Sequence, residues 1–326
     1  MLTMPPKRVS LEVKSRPDRV KLRKELGDLR DLVVTKKTLS RYEHACTQFF
    51  AWMKQSKLCL PCDMFRFDEL CSDFICSLWD EGEARSLGCN FLSGLQHKVP
   101  ALKRHLNASW RLIGAWGRHE MPARAPPLTL ELMEALCGEA CKISRGDAAV
   151  VIYLAFDCIL RTSELLSVRK QDVAIEPCGS SAVINLGLTK TGLRHGAAES
   201  VTTDNPVLCK LLSAKLLYMK PGDFLFTGSQ AEFRSLFKQL CTALKLDEWQ
   251  FRPYSLRRGG ATHVYKCTGN LSKTIIRGRW GSAKAARVYI NEGLATLAQF
   301  RYNTPEIAES AQIFRTIVSG KRPGGA

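Results

Sequence analysis

Apolar residues recur at helical spacing over most of this chain, and short β-rich runs interrupt that pattern in one stretch. Leu39, Tyr42, Cys46, Phe49, Phe50 and Met53 fall mostly three and four apart, which predicts a helix with Thr38 as its N-cap. Phe67, Leu70, Phe74, Ile75 and Leu78 predict a second helix over about 67–80, and a third follows over about 85–98. Leu102, Leu106, Trp110, Ile113 and Trp116 predict a fourth over about 101–117. Together they make an all-helical unit over 36–120. Met121-Pro-Ala-Arg-Ala-Pro-Pro127 is a proline-rich break, and 121–127 is the expected linker. A second domain, 128–326, opens with Leu132, Met133, Leu136 and Cys137 on one helix. Ser144-x-x-Asp147 has the form of a capping signature and precedes a strongly apolar helix, Ala148 through Val168. Ala182–Leu188 and Glu199–Thr203 are short β-rich runs around a glycine-containing loop, which predicts a hairpin. Helices follow over about 206–219 and 230–245, with Asp223–Thr227 extended between them. After Asn303-Thr-Pro305, Ile307 to Val318 predicts a last helix. The pattern as a whole predicts a mainly α protein with a small antiparallel β-sheet.

Composition narrows the class. With 326 residues, 45% of them hydrophobic, the chain is long enough for two cores. Net charge is +17, and both halves share it: residues 1–125 carry 22 Lys/Arg against 14 Asp/Glu. That distribution fits a surface around a polyanion better than one basic tail. Residues 1–35 read as a basic arm, flexible or partly helical, interrupted at Pro17. No apolar run is long enough to span a membrane, and the N-terminus lacks the apolar core of a secretory signal. Among 13 cysteines, Cys46, Cys137, Cys158 and Cys241 fall inside apolar patterns, as reduced core residues of an intracellular protein do. Cys59 and Cys62 have metal-like spacing, but Cys71 and Cys76 follow at the wrong interval for a four-ligand site. No metal or other cofactor is expected.

Chemistry concentrates between Phe251 and Asn291. Arg257 precedes Gly259, Gly260 and Ala261, so backbone or ligand can approach closely. Tyr289 lies nine residues after Trp280. A guanidinium is a permanent cation with a fork of donors matched to phosphate, and a phenol is a weak nucleophile with a pKa of about 10. Upstream, Ile159-Leu-Arg161-Thr-Ser-Glu164 places an arginine and a carboxylate three apart, where a helix would bring them to one face.

The segment Pro253–Tyr289 resembles the C-terminal signature of the tyrosine recombinase (phage-integrase) family: His-x-x-Arg, then His or Trp, then Tyr about nine residues later. Arg257, Trp280 and Tyr289 match it, Ala261-Thr262-His263 is similar to the string that commonly follows, and Tyr254 departs, standing where the family has histidine. Leu160-Arg161-x-x-Glu164-Leu165 resembles the family's first arginine motif, and Lys190, before Thr-Gly in the hairpin loop, takes the place of its catalytic lysine. The resemblance implies an N-terminal helical core-binding domain and a mixed α/β integrase-like catalytic domain. It implies a site-specific recombinase acting on double-stranded DNA through a 3′-phosphotyrosyl link, without metal or ATP, as a homo-oligomer of two to four copies. In that scheme Tyr289 attacks, Arg161 and Arg257 hold the phosphate, Glu164 supports them and Lys190 protonates the leaving oxygen. Trp280 packs on the phosphate or donates its indole N–H to it, and Tyr254 is a positioning donor. Lys98, Lys103, Arg104 and Arg111 are candidate phosphate contacts, although a solvated helix face accounts for each singly. The setting would be intracellular, and nuclear in a eukaryote. Two rivals remain: a DNA-binding relative that no longer cuts, and a helical interaction protein.

Overall fold

The structure, a computed structural model, describes residues 15–189, 192 and 196–320. The chain divides into two compact units that part between Ala123 and Arg124.

The first unit holds α1 (Arg16–Leu26), α2 (Lys36–Gln55), α3 (Met64–Asp80), α4 (Arg85–Lys98) and α5 (Asn107–His119). Pro17 opens α1 rather than interrupting the basic run, because the first turn has no use for the N–H that proline lacks. Thr35, not Thr38, caps α2: the Thr38 N–H donates to Thr35 Oγ1 at 3.3 Å. The core forms around Phe49, Phe74 and Phe91, whose ring centroids lie 4.6–5.3 Å apart. The helix expected over 101–117 is two pieces, a 3₁₀ turn at Pro100–Arg104 and then α5. Leu106, at the start of α5, has no side-chain oxygen with which to cap it. Buried Asp68 of α3 does so instead, accepting from the backbone N–H groups of Ala108 (2.8 Å) and Ser109 (3.0 Å).

The second unit contains α6 (Leu130–Lys142), α7 (Gly146–Asp157) and α8 (Thr162–Leu165), then β1 (Val173–Ile175), β2 (Ala182–Gly187) and β3 (Glu199–Thr203). The sheet is antiparallel in the order β1-β2-β3, so the expected hairpin gains a third strand that is too short to read from alternation. Helices α9 (Pro206–Leu217), α10 (Gln230–Ala243), α11 (Pro253–Thr268), α12 (Leu271–Gly278), α13 (Ala283–Arg287), α14 (Glu292–Arg301) and α15 (Pro305–Ser319) follow. Helix α15 lies on α6, burying Ile307 and Phe314, and Arg315 Nε donates to Glu134 Oε2 at 2.7 Å. No helix among the described residues is long and apolar enough to cross a membrane.

Two expectations for α7 fail. Ser144 does not cap it; Ser144 sits at φ +59°, and the Asp147 carboxylate accepts from Arg145 Nε (2.9 Å) and Thr227 Oγ1 (3.0 Å). Nor does α7 run on to Val168. It stops at Asp157, and Ile159 takes φ +50°, a left-handed conformation that a β-branched residue adopts at a cost of about 1–3 kcal/mol. Helix α11 passes through the interior, with every residue from Ser255 to Thr262 buried. Gly259 and Gly260 make that possible: a Cβ would fall 2.2 Å from the Leu128 carbonyl oxygen and 2.0 Å from that of Phe156.

Candidate active site

The break after α7 and the glycine-paved path of α11 meet at Arg257. Its side chain is 1% exposed. Nη1 donates to the Ile159 carbonyl, which the turn at Cys158–Leu160 releases from the helical ladder, and Nη2 donates to the Gly278 carbonyl at the end of α12, 2.7 Å away. Nε is buried without a partner. Both bonded partners are neutral, so nothing in that pair cancels the guanidinium charge. Burial, with Arg161 close by, pushes Arg257 down to about 10, still protonated at neutral pH.

Three aromatic residues gather beside it. The Arg257 guanidinium lies 4.9 Å from the Trp280 ring centroid and 5.3 Å from that of Tyr289, and the two rings are 4.6 Å apart. Tyr254, in the first turn of α11, donates its O–H to the Tyr289 oxygen at 2.6 Å. The two phenols are driven apart in acidity. Burial alone would raise Tyr289, but the Tyr254 hydrogen bond, the Arg257 charge and the donors of Trp280 and Arg257 outweigh it, and Tyr289 is lowered from its ordinary value. Tyr254 is pushed up, first by burial and then by the same bond. Its described partner is therefore the other phenol. The indole Nε1 of Trp280 is buried, outside strict hydrogen-bond geometry but close enough to Tyr289 to favour its ionised form.

Tyr289 itself is not inside a helix; it follows α13 in a turn, its N–H donating to the Ala286 carbonyl at 2.9 Å. Thr262 holds that turn from α11. Its Oγ1 lies 3.3 Å from the Tyr289 carbonyl oxygen and accepts from the Asn291 N–H at 3.1 Å. The family-like string singled out Ala-Thr-His, but nothing in it marked the threonine as a backbone clasp.

Arg161 and Glu164 do not share a helix face as expected. Arg161 precedes α8, its backbone N–H donates to Glu164 Oε2 at 2.9 Å, and its Nη1 donates to Oε1 of the same carboxylate. Glu164 also accepts from Arg279 Nη2 at 2.6 Å. Burial works against the Glu164 carboxylate, yet Arg279 and Arg161 hold it below its ordinary value. Arg279 extends the network to β3, where its Nε lies 3.3 Å from Glu199 Oε2. Neither Arg279 nor Glu199 was singled out from sequence, although Arg279 stands beside Trp280 in the same string.

Lys190 lies outside the described residues. Its neighbour Thr189 donates to Glu199 Oε2 at 2.5 Å, so the start of that loop is tied to the same carboxylate as Arg279. Lys98, Lys103, Arg104 and Arg111 are all exposed in the first unit, at the end of α4, in the 3₁₀ turn and on α5. Cys59 and Cys62 are exposed free thiols, and among the described residues no group of three or more His, Cys, Asp or Glu is placed to hold a metal ion.

No protein-family model and no curated protein matches the sequence. Solved structures do match the fold. The XerH site-specific recombinase bound to palindromic difH substrate, in a post-cleavage complex, aligns with a TM-score of 0.58 at 15% identity, over 80% of this chain and 78% of that one. The Tn1549 transposon integrase in complex with transposon right-end DNA aligns with a TM-score of 0.58 at 12% identity, over 86% and 96%. A lambda integrase dimer bound to a COC′ core site aligns with a TM-score of 0.54 at 12% identity, over 86% and 82%. The fold is that of the tyrosine recombinases. Within the tyrosine-recombinase fold of this chain, Arg257, Trp280, Tyr254 and Tyr289 stand in one cluster, and Arg161 is close enough for its charge to act on Arg257 and Tyr254.

Proposed function

We propose that this chain breaks and rejoins DNA, with Tyr289 as nucleophile. The observation that carries the reading is the Tyr289 phenol, made more acidic by its hydrogen bond and held against a buried guanidinium whose bonded partners are neutral. In the reaction, Tyr289 Oη forms a bond to the scissile phosphorus while the P–O5′ bond breaks. The phenol proton leaves for solvent or a base, and the 5′ oxygen takes up a proton, which Lys190 is suited to supply. Arg257 and Arg161 meet the charge that develops on the non-bridging oxygens. The Trp280 indole N–H is a buried donor beside Tyr289, placed where a phosphate oxygen bound at Tyr289 would share it. The phosphotyrosyl link conserves the bond energy, so rejoining needs no nucleotide, and the arginines provide charge that other enzymes take from a metal. One tyrosine serves one strand, so exchange between two duplexes, which breaks four strands, needs four copies on the paired sites.

The test is a pool of nicked duplexes with randomised cores, in which a broken strand diffuses away and traps the covalent complex. SDS-resistant adducts are expected with the parent protein, with or without EDTA, and none with Tyr289→Phe. Binding without adducts in the parent would favour the DNA-binding relative that no longer cuts. Adducts that survive in Tyr289→Phe would move the nucleophile to another residue.

A further inference from the structure

The contact between the two phenols goes beyond the assignment of a nucleophile. We propose that Tyr254 is a positioning residue that poises Tyr289, its O–H donating to the Tyr289 oxygen and holding that oxygen ready to lose its proton before DNA arrives. The proposal rests on the reading of Tyr289 as the nucleophile, and it assigns Tyr254 a partner other than the phosphate.

Geometry carries it. The oxygens are 2.6 Å apart, and the two side chains come from separate elements, the first turn of α11 and the turn after α13. Each phenol has one proton, so only one of the pair can donate into the contact. The cation beside the pair decides which. Arg257 lies over the Tyr289 ring at 5.3 Å, which favours negative charge on Tyr289 and leaves Tyr254 as the donor. Arg257 and Arg161 also act on Tyr254, and Arg258 faces both phenols, so these cations favour charge on Tyr254 as well. The order is set at Tyr289, where Arg257 lies over the ring and the Trp280 indole and Arg257 guanidinium add their donors. Thr262 fixes the backbone beside Tyr289, so the contact does not depend on a loose turn. A charge-assisted O–H···O⁻ bond of this length is the strong kind. Imidazole at position 254 would also donate, but it would titrate near neutrality; a phenol keeps its proton across the physiological range.

The experiment is an alkaline titration followed by phenolate absorbance, on the full chain without DNA. Tyr254→Phe removes one oxygen from a side chain that is 41% exposed, so the ring packing stays. The earliest tyrosine ionisation of the parent should be absent in Tyr289→Phe. In Tyr254→Phe it should move up by about 1–2 pH units, as loss of a hydrogen bond to a charged group implies. Tyr254→His should keep most of the parent position. An unmoved first ionisation in Tyr254→Phe, or one that persists in Tyr289→Phe, overturns the proposal. On trapped substrates, the acid limb of the cleavage–pH profile should rise by the same amount in Tyr254→Phe. The shift present with no adduct formed would sink the nuclease reading alone; adducts formed with no shift would sink only the role of Tyr254.

Discussion

Arg257 spans two carbonyls from distant parts of the chain, Ile159 and Gly278. A lysine ammonium is a single point on a flexible stem and cannot reproduce that fork. Arg257→Lys therefore leaves a buried carbonyl without its donor, at a cost of about 1–3 kcal/mol in urea denaturation. Loss of one aimed donor should also slow adduct formation by about 10²–10³. Parent-like stability in Arg257→Lys would show that the fork is not what binds α12 to the turn after α7. Arg257, Trp280 and Tyr289 were legible because a short local string carries all three. Arg279 was not: its partner Glu164 lies 115 positions away, and no local spacing announces such a pair. The Tyr254–Tyr289 contact, across 35 positions, was hidden for the same reason, so Tyr254 could be read only as a substitute for histidine.

Among the elements, α7 shows where periodicity misleads. Its apolar run continues through Ile159 and Leu160, and hydrophobicity alone gives no reason to stop. The chain stops because a guanidinium from α11 takes the Ile159 carbonyl, a partner no local pattern contains. The small residues of α11 were legible as a close approach, and what approaches is the backbone of Leu128 and Phe156. Gly260→Ala should destabilise the second unit by about 1–3 kcal/mol or more, because its Cβ meets backbone rather than a side chain that can turn aside. A melting curve that matches the parent would contradict the close packing. Glu164 ties α8 to the residue after α12, and its titration gives a sign. Its folded value lies below the ordinary 4.5, so its contribution is fully present above that pH and is lost as pH falls through the folded value. Glu164→Gln should thus be less stable than the parent near neutrality, with the gap closing in acid. Denaturation midpoints at several pH values check this, and a gap that widens in acid would reverse the assignment.

For the molecule as a whole, the charge excess of +17 predicts that binding to DNA is steeply salt-dependent. With roughly 6–10 phosphates contacted, affinity should fall by about 10³–10⁵ between 50 and 200 mM salt. Mobility shifts across that range check it, and a flat response would remove DNA as the polyanion. The neutral carbonyls around Arg257 have a consequence at this scale too. Without a ligand, the second unit folds around a buried Arg257 that Arg161 acts against. No carboxylate is bonded to Arg257, and Glu164 reaches it only as a carboxylate already bonded to Arg161 and Arg279. An arriving phosphate relieves that repulsion, so occupancy becomes a term in the folding equilibrium, and a ligand bound only by the folded chain raises its stability by mass action. A duplex with a neutral methylphosphonate at the scissile linkage has nearly the same length and total charge as its natural counterpart, yet it should raise the melting temperature less. The difference between the two melting curves measures how much of the fold's stability is held back until the substrate completes it.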